Sequence, residues 1–195
     1  MSSQLGKVIL LNGTSSAGKT SVAIALQRQL VDHYVLLGID QFLSALPPDL
    51  HGSARGVYFI DHQDGVRLRL GPAGVKLERA FHRAVRAVAD AGLNVIVDDV
   101  LFEPWLLEDW HIVLAGIHLT LVGVHCPITE AERREVARGD RRVGQARGQH
   151  GVVHLNCVYD LEVDAIACDP EQAASEIRRA LAASSAANSP PQTQA

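Results

Sequence analysis

No stretch of the 195-residue sequence approaches the ~20 consecutive apolar positions of a membrane span. The opening Met1-Ser2-Ser3-Gln4 has neither the charged nor the apolar block of a signal peptide. Cysteine is scarce: Cys126, Cys157 and Cys168 are odd in number and not tightly spaced, which excludes a disulfide framework. A reducing cytoplasm is the expected setting. An excess of basic charge is also missing. Eighteen Lys and Arg against 22 Asp and Glu give a formal net charge of −4, and general nucleic-acid binding needs the opposite sign on at least one face. Periodicity is lacking only in the Ala-, Ser-, Pro- and Gln-rich tail, 183–195, which is expected to be disordered. No internal repeat is present.

What remains is ordinary globular composition, 47% hydrophobic and 21% charged, long enough for one domain with a core, 1–182. Short apolar runs alternate with helical patterns, as in a parallel α/β sheet. Strands are expected at 7–11, 34–39, 94–97, 118–124 and 163–168. Helices are expected at about 19–30, 129–138 and 170–181. A further helix ends at Gly92, with Leu77, Ala80, Phe81, Ala84, Val85 and Val88 as its buried face. Between 47 and 72, two β-like runs flank Asp64-Gly65, so the spacing predicts a hairpin inserted over one face, on the substrate side.

Gly13-Thr14-Ser15-Ser16-Ala17-Gly18-Lys19-Thr20 satisfies G-x-x-x-x-G-K-[ST] at every required position. Gly13 and Gly18 let the backbone wrap an anion so that successive N–H groups point at phosphate oxygens. The following helix, which begins with Lys19, Thr20 and Ser21, aims its positive dipole end at the same point. Lys19, expected as an exposed charge, serves the β- and γ-phosphates, and the Thr20 hydroxyl can ligate magnesium. The rival is a dinucleotide site, since Asp40 lies at a suitable distance for a ribose contact. That fingerprint needs G-x-G-x-x-G, which residues 13–18 lack. The pattern therefore selects ATP or GTP.

Three acids fall at strand ends, where ligands bind in open α/β sheets. Asp98 follows Asn94-Val95-Ile96-Val97 as a magnesium-holding acid follows its strand, and Asp99 beside it is a substrate or metal candidate. Asp40 has two readings from its chemistry, a base for an acceptor hydroxyl or a helix N-cap. Six of the 18 basic residues, Arg133, Arg134, Arg138, Arg141, Arg142 and Arg147, face only Glu135 and Asp140 in their stretch. Like charges four apart on a helix cost ~0.2–0.5 kcal/mol, a repulsion that a transferring phosphate would relieve. Segment 133–148 is expected to be a lid. His125, Cys126, His154 and Cys157 lack paired zinc spacing, and Trp105 and Trp110 are expected in the core.

With these segments placed, the sequence resembles the chloramphenicol phosphotransferase family, small P-loop kinases that 3-O-phosphorylate that antibiotic. The likeness runs from about Val8 to Asp164. It rests on Ile9-Leu10-Leu11-Asn12 leading into the phosphate loop, Gly38-Ile39-Asp40, Ile96-Val97-Asp98-Asp99-Val100 and Ala137-Arg138-Gly139-Asp140-Arg141. Val152-Val153-His154, Tyr159-Asp160 and Glu162-Val163-Asp164 extend it. The resemblance implies a nucleoside-kinase-like three-layer α/β sandwich with a five-stranded parallel sheet, order 2-3-1-4-5, and a helical lid. It implies Asp40 as catalytic base and Arg134, Arg138 and Arg141 as lid arginines. The sequence departs from the family pattern most between Pro47 and Gly74, where the acceptor would be gripped, and brings Arg67, Arg69 and Trp105.

The expectation is an ATP- and magnesium-dependent phosphotransferase acting on a small hydroxylated molecule. Lys19 and the loop hold phosphates, and Thr20 and Asp98 organise the metal. Asp40 and Asp99 face the substrate, while Arg138 and Arg141 neutralise the transition state. The alternatives are a kinase of a sugar, nucleotide or peptidoglycan precursor with the same machinery, and a non-catalytic nucleotide-binding switch.

Overall fold

The computed structural model describes residues 4–139, 141–166 and 168–187. Five strands form one parallel sheet: β1 (Val8–Asn12), β2 (Tyr34–Gly38), β5 (Asn94–Asp99), β6 (Leu119–His125) and β7 (Leu161–Asp164). Their spatial order is β2-β5-β1-β6-β7, which counted along these five strands is 2-3-1-4-5, as the resemblance implies. β1 lies between β5 and β6 and is buried along its whole length, which is why it reads as an unbroken apolar run.

Side-chain alternation divides β1 between two cores. Ile9 and Leu11 pack with Val22 and Leu26 of α1 (Lys19–Gln29) and Ile177 of α7 (Pro170–Ala187). Val8 and Leu10 pack on the other face with Phe81 and Val85 of α3 (Pro72–Asp90) and Trp110 of α4 (Pro104–Val113). The result is three layers, helix on sheet on helix. Parallel register then sets the functional end: Leu11 pairs with Asp98 and Asn12 with Asp99, while Gly38 also pairs with Asp98. The exits of β1, β2 and β5 are therefore level, and the residues after each converge.

Several expectations are corrected. The fifth strand spans Leu161–Asp164, not 163–168, because Asp164 Oδ1 accepts the Ile166 N–H at 2.8 Å and turns the chain. The hairpin joins β3 (Val57–His62) and β4 (Gly65–Leu70). His62 pairs with Gly65, so Gln63-Asp64 is the turn and Gly65, at φ +117°, opens the return strand. α4 was not expected; Pro104 at its first position, with its fixed φ, is the signal that marks it. The buried face of α3 carries Gly74, Glu78, Phe81, His82, Val85 and Ala89, whereas Ala80 is exposed. Two polar residues, Glu78 and His82, thus belong to a face that apolar counting fills with their neighbours. α7 continues to Ala187, past the expected break at 183, and 188–195 of the expected disordered tail lie outside the described residues. Among the described residues no helix is long and apolar enough to cross a membrane.

Candidate active site

The phosphate loop leaves β1 at Asn12 and ends in α1. Gly13 is required by close approach: a Cβ there would lie 2.4 Å from the Val124 carbonyl oxygen. Gly18 has φ +102° and Ser16 φ +62°, the left-handed geometry that turns successive amides inward. Thr14, Ser15 and Ser16 are all buried, and their hydroxyl oxygens have no hydrogen-bond partner among the described residues. Buried hydroxyls without partners are rare in folded proteins. A loop with three of them, beside an ammonium, is shaped for an anion rich in oxygen acceptors.

Lys19 corrects its expectation. It is 6% exposed, with Nζ donating to the Gly13 and Thr14 carbonyls at 3.0 Å each and lying 3.9 Å from Asp98 Oδ1. Burial lowers its pKa, while Asp98, Asp40 and Asp99 pull it back up. The Thr20 hydroxyl donates to Asp98 Oδ2 at 2.5 Å. This pair is the place that fits a magnesium ion. Among the described residues no three His, Cys, Asp or Glu side chains gather as a metal cage, which suits an ion that takes one or two protein ligands plus phosphate oxygens.

Asp40 is the second residue of α2 (Ile39–Ser44), whose N-cap is Gly38. The N-cap reading of Asp40 therefore does not hold. Its carboxylate instead forms a two-pronged pair with the Arg141 guanidinium. Asp99 turns away from both groups: 1% exposed, it accepts the Trp110 Nε1–H at 2.8 Å and the Val100 N–H at 2.7 Å. Burial raises its pKa. It buttresses the strand end from below, and a substrate-facing position is not where the structure puts it.

The arginines find acids that their own stretch lacks. Arg133 and Arg134, on α5 (Ile128–Arg138), both bind Glu130, whose pKa is held down to about 2, by Arg133 first. Arg147, on α6 (Gln145–His150), pairs with Glu132, and Arg142 pairs with Asp61 on the hairpin. Arg134 also donates to the Ala17 and Ala165 carbonyls at 3.1 and 3.0 Å, tying the loop to the end of β7. Arg138 and Ser21 line a cleft of ≈ 600 Å³ between α1, α5 and the turn after β7. Asp140 lies outside the described residues.

Two side chains join the site without a sequence signal that singled them out. Gln149 of α6, 2% exposed, accepts the Ser15 N–H at 2.7 Å and so links α6 to the phosphate loop. Glu78, on the buried face of α3, lines a cavity of ≈ 440 Å³ beneath the hairpin. That cavity is walled by Ile39, Leu43, Val57, Phe59, Leu68 and Phe102, with Asp40 and Arg141 at one side. Asp40 and Arg141 also line the smaller cleft over Lys19 and Thr20. Arg67, Arg69 and Trp105 do not line the cavity: Arg69 and the Trp105 indole N–H both bind Glu103. Trp110 is in the core, stacked on His82 at 3.9 Å.

Behind the loop, Asn12 accepts the Leu101 N–H through Oδ1 and donates through Nδ2 to the Val153 carbonyl and the Tyr159 hydroxyl. The Tyr159 hydroxyl is also hydrogen-bonded with His154 Nδ1 at 2.6 Å. The segments around Val153 and Tyr159 that carry the family resemblance therefore brace the start of the phosphate loop. His125 stacks on His154 with centroids 4.2 Å apart, and Cys157 joins the same cluster through Asn12.

Comparison with known proteins gives this geometry a family. Two Mycobacterium tuberculosis proteins, from strains CDC 1551 / Oshkosh and ATCC 25618 / H37Rv, carry the provisional name O-phosphotransferase. Each is 40% identical over 187 residues, 91% of this chain and 83% of the relative. The fold is similar to that of the M. tuberculosis APS kinase CysC in complex with AMPPNP and APS, with TM-score 0.68 and 21% identity, covering 91% and 98% of the two chains. It is also similar to a gluconokinase from Sinorhizobium meliloti 1021, with TM-score 0.63 and 16% identity, covering 94% and 95%. The family model described as chloramphenicol phosphotransferase-like protein matches residues 6–182. The chain therefore belongs to the chloramphenicol phosphotransferase-like family.

Proposed function

We propose that this chain moves the γ-phosphate of ATP onto a hydroxyl of a small molecule seated in the ≈ 440 Å³ cavity under the hairpin. The observation that carries the reading is the shared neck: Asp40 and Arg141 line both that cavity and the cleft over Lys19 and Thr20. A hydroxyl reaching the neck meets the carboxylate that can take its proton. As its oxygen bonds to the γ-phosphorus, the bond from that phosphorus to the bridging oxygen breaks and ADP leaves.

The phosphates are held by the loop amides, the three unpartnered hydroxyls and Lys19. Thr20 and Asp98 hold magnesium, which when bound neutralises charge on the phosphate oxygens. Arg141 lies beside the path of the transferred group. Arg138 opens both onto the phosphate cleft and onto the larger cleft where the nucleoside fits. Arg134 holds the rim of that cleft. Such chemistry is mostly positioning and charge stabilisation. Segment 141–148 acts as the lid and the hairpin as the acceptor-side wall, joined where the Val66 N–H donates to the Gly144 carbonyl at 2.8 Å.

ADP release measured across a panel of hydroxylated compounds, with chloramphenicol as the first probe, tests the proposal. Turnover on at least one alcohol that Lys19→Met abolishes is the expected result. ATP binding with no acceptor-stimulated turnover anywhere in a broad panel would favour a nucleotide-binding switch instead.

A further inference from the structure

Glu78 occupies the cavity wall in a way that apolar packing does not explain. It is 1% exposed, and its Oε2 has no hydrogen-bond partner among the described residues. A buried carboxyl oxygen left unpaired is costly unless something else completes it. The two arginines of the same wall are engaged elsewhere: Arg141 binds Asp40, while Arg142 binds Asp61 and lies over the Phe59 ring at 5.6 Å. His51, also in the wall, lies 3.2 Å from the Leu46 carbonyl through Nε2.

We propose that Glu78 is a specificity-determining residue of the acceptor cavity. Its unpartnered carboxyl hydrogen-bonds an amide or hydroxyl group of the acceptor other than the reacting hydroxyl, and it excludes alcohols that carry a carboxylate or phosphate there. The inference rests on the reading of this cavity as the acceptor site. Burial first, then Asp99, Glu103 and Asp40, push the Glu78 carboxyl well above the usual carboxylate range. A carboxyl in its acid form offers an O–H donor and a carbonyl acceptor on one planar group, the complement of an amide or an alcohol. An anionic end would meet the same three acids, and the two arginines of the wall are already paired with Asp40 and Asp61.

Three proteins test this: wild type, Glu78→Gln and Glu78→Ala, each first titrated with ATP by calorimetry. Loss of ATP binding in the wild type itself would overturn the phosphotransferase reading, whereas intact binding isolates the question of Glu78. Chloramphenicol and other uncharged alcohols are then compared with shikimate and gluconate as carboxylate-bearing probes. Expected is turnover of uncharged alcohols alone. Glu78→Ala should raise KM for the best of them by about tenfold or more with kcat less affected. Glu78→Gln, whose amide keeps a donor and an acceptor, should stay within about threefold. Equal use of carboxylate-bearing alcohols, an unchanged KM in Glu78→Ala, or Gln as damaging as Ala would overturn the proposal. Infrared spectra supply an acceptor-free readout, a protonated-carboxyl stretch at neutral pH that vanishes in Glu78→Gln. Its absence from the wild type would also overturn the proposal, and if no alcohol is turned over that comparison decides alone.

Discussion

Asp40 and Arg141 are 101 positions apart in the chain and meet as a two-pronged ion pair at the neck between the two cavities. Both residues line the cavity under the hairpin and the cleft over Lys19 and Thr20. Neither residue is placed by its own local structure: α2 starts at Ile39 with Gly38 as cap, and Arg141 follows the end of α5.

Asp40→Asn separates chemistry from structure. The amide fills the same volume and α2 keeps its glycine cap, so ATP affinity and melting temperature should stay near wild type. Turnover should fall by ~10²–10⁴, the usual worth of a positioned general base. Steady-state ADP release on an acceptor that the wild type phosphorylates checks it, and full activity would end the assignment of Asp40 as base.

Lys19→Met replaces a buried ammonium by an apolar side chain of similar length. ATP binding should be lost, as read by calorimetry. Thermal stability should hold or rise slightly, because a desolvated charge disappears. A Lys19→Met variant that still bound ATP with wild-type affinity would show that the phosphates sit elsewhere.

The lid makes a prediction about protection. Gln149 and Arg147 anchor α6, and the Val66 N–H holds the Gly144 carbonyl, while Arg141 and Arg142 tie the preceding segment to Asp40 and Asp61 through their side chains. Amide exchange in 141–144, the part of the proposed lid before α6, should slow on adding a non-hydrolysable ATP analogue, with little change in 145–150. Equal exchange in both states would count against an ATP-responsive lid.

Glu135 accepts the Gly144 and Ala146 N–H groups at 2.7 and 2.8 Å from a position 1% exposed. Glu135→Ala leaves both amides unpaired, and at ~1–3 kcal/mol for each orphan the loss should be of order 2–6 kcal/mol. Urea unfolding measures it. A change under about 0.5 kcal/mol, the scale of ordinary surface substitutions, would mean that water replaces the carboxylate.

His154 gives the stability a pH dependence. Burial first, then His125 and His150, lower its pKa to about 4 from the ordinary 6.5. Between those values the unfolded chain holds a proton that the folded one does not, so stability falls as pH drops from about 6.5 to about 4. His154→Gln should flatten the slope between pH 7 and pH 5 in urea midpoints. His82 is also lowered by burial, so some slope should remain. An unchanged slope would detach His154 from the effect.

Local pattern determined a large part of this protein. The phosphate loop, the strand alternation and the acids at strand ends each depend on residues within about ten positions of one another. Glycine geometry, period-2 burial and dipole alignment act over that range. Tertiary structure decided the rest, for the reason that the deciding contacts are long. Lys19 reads as an exposed charge until Gly13, Thr14 and Asp98 close over it. Asp99 reads as a twin of Asp98 until pleating sends it to the other face, under Trp110. The arginines read as one repulsive cluster until Glu130, Glu132, Asp61 and Asp40 arrive from other turns and other elements. Glu78 follows a helical period that apolar residues alone do not reveal, because its place on α3 is set by the hairpin and sheet that enclose it. Burial belongs to the assembled chain, and so do the pairs Lys19–Asp98, Arg141–Asp40 and Arg142–Asp61, whose partners no short window of sequence contains.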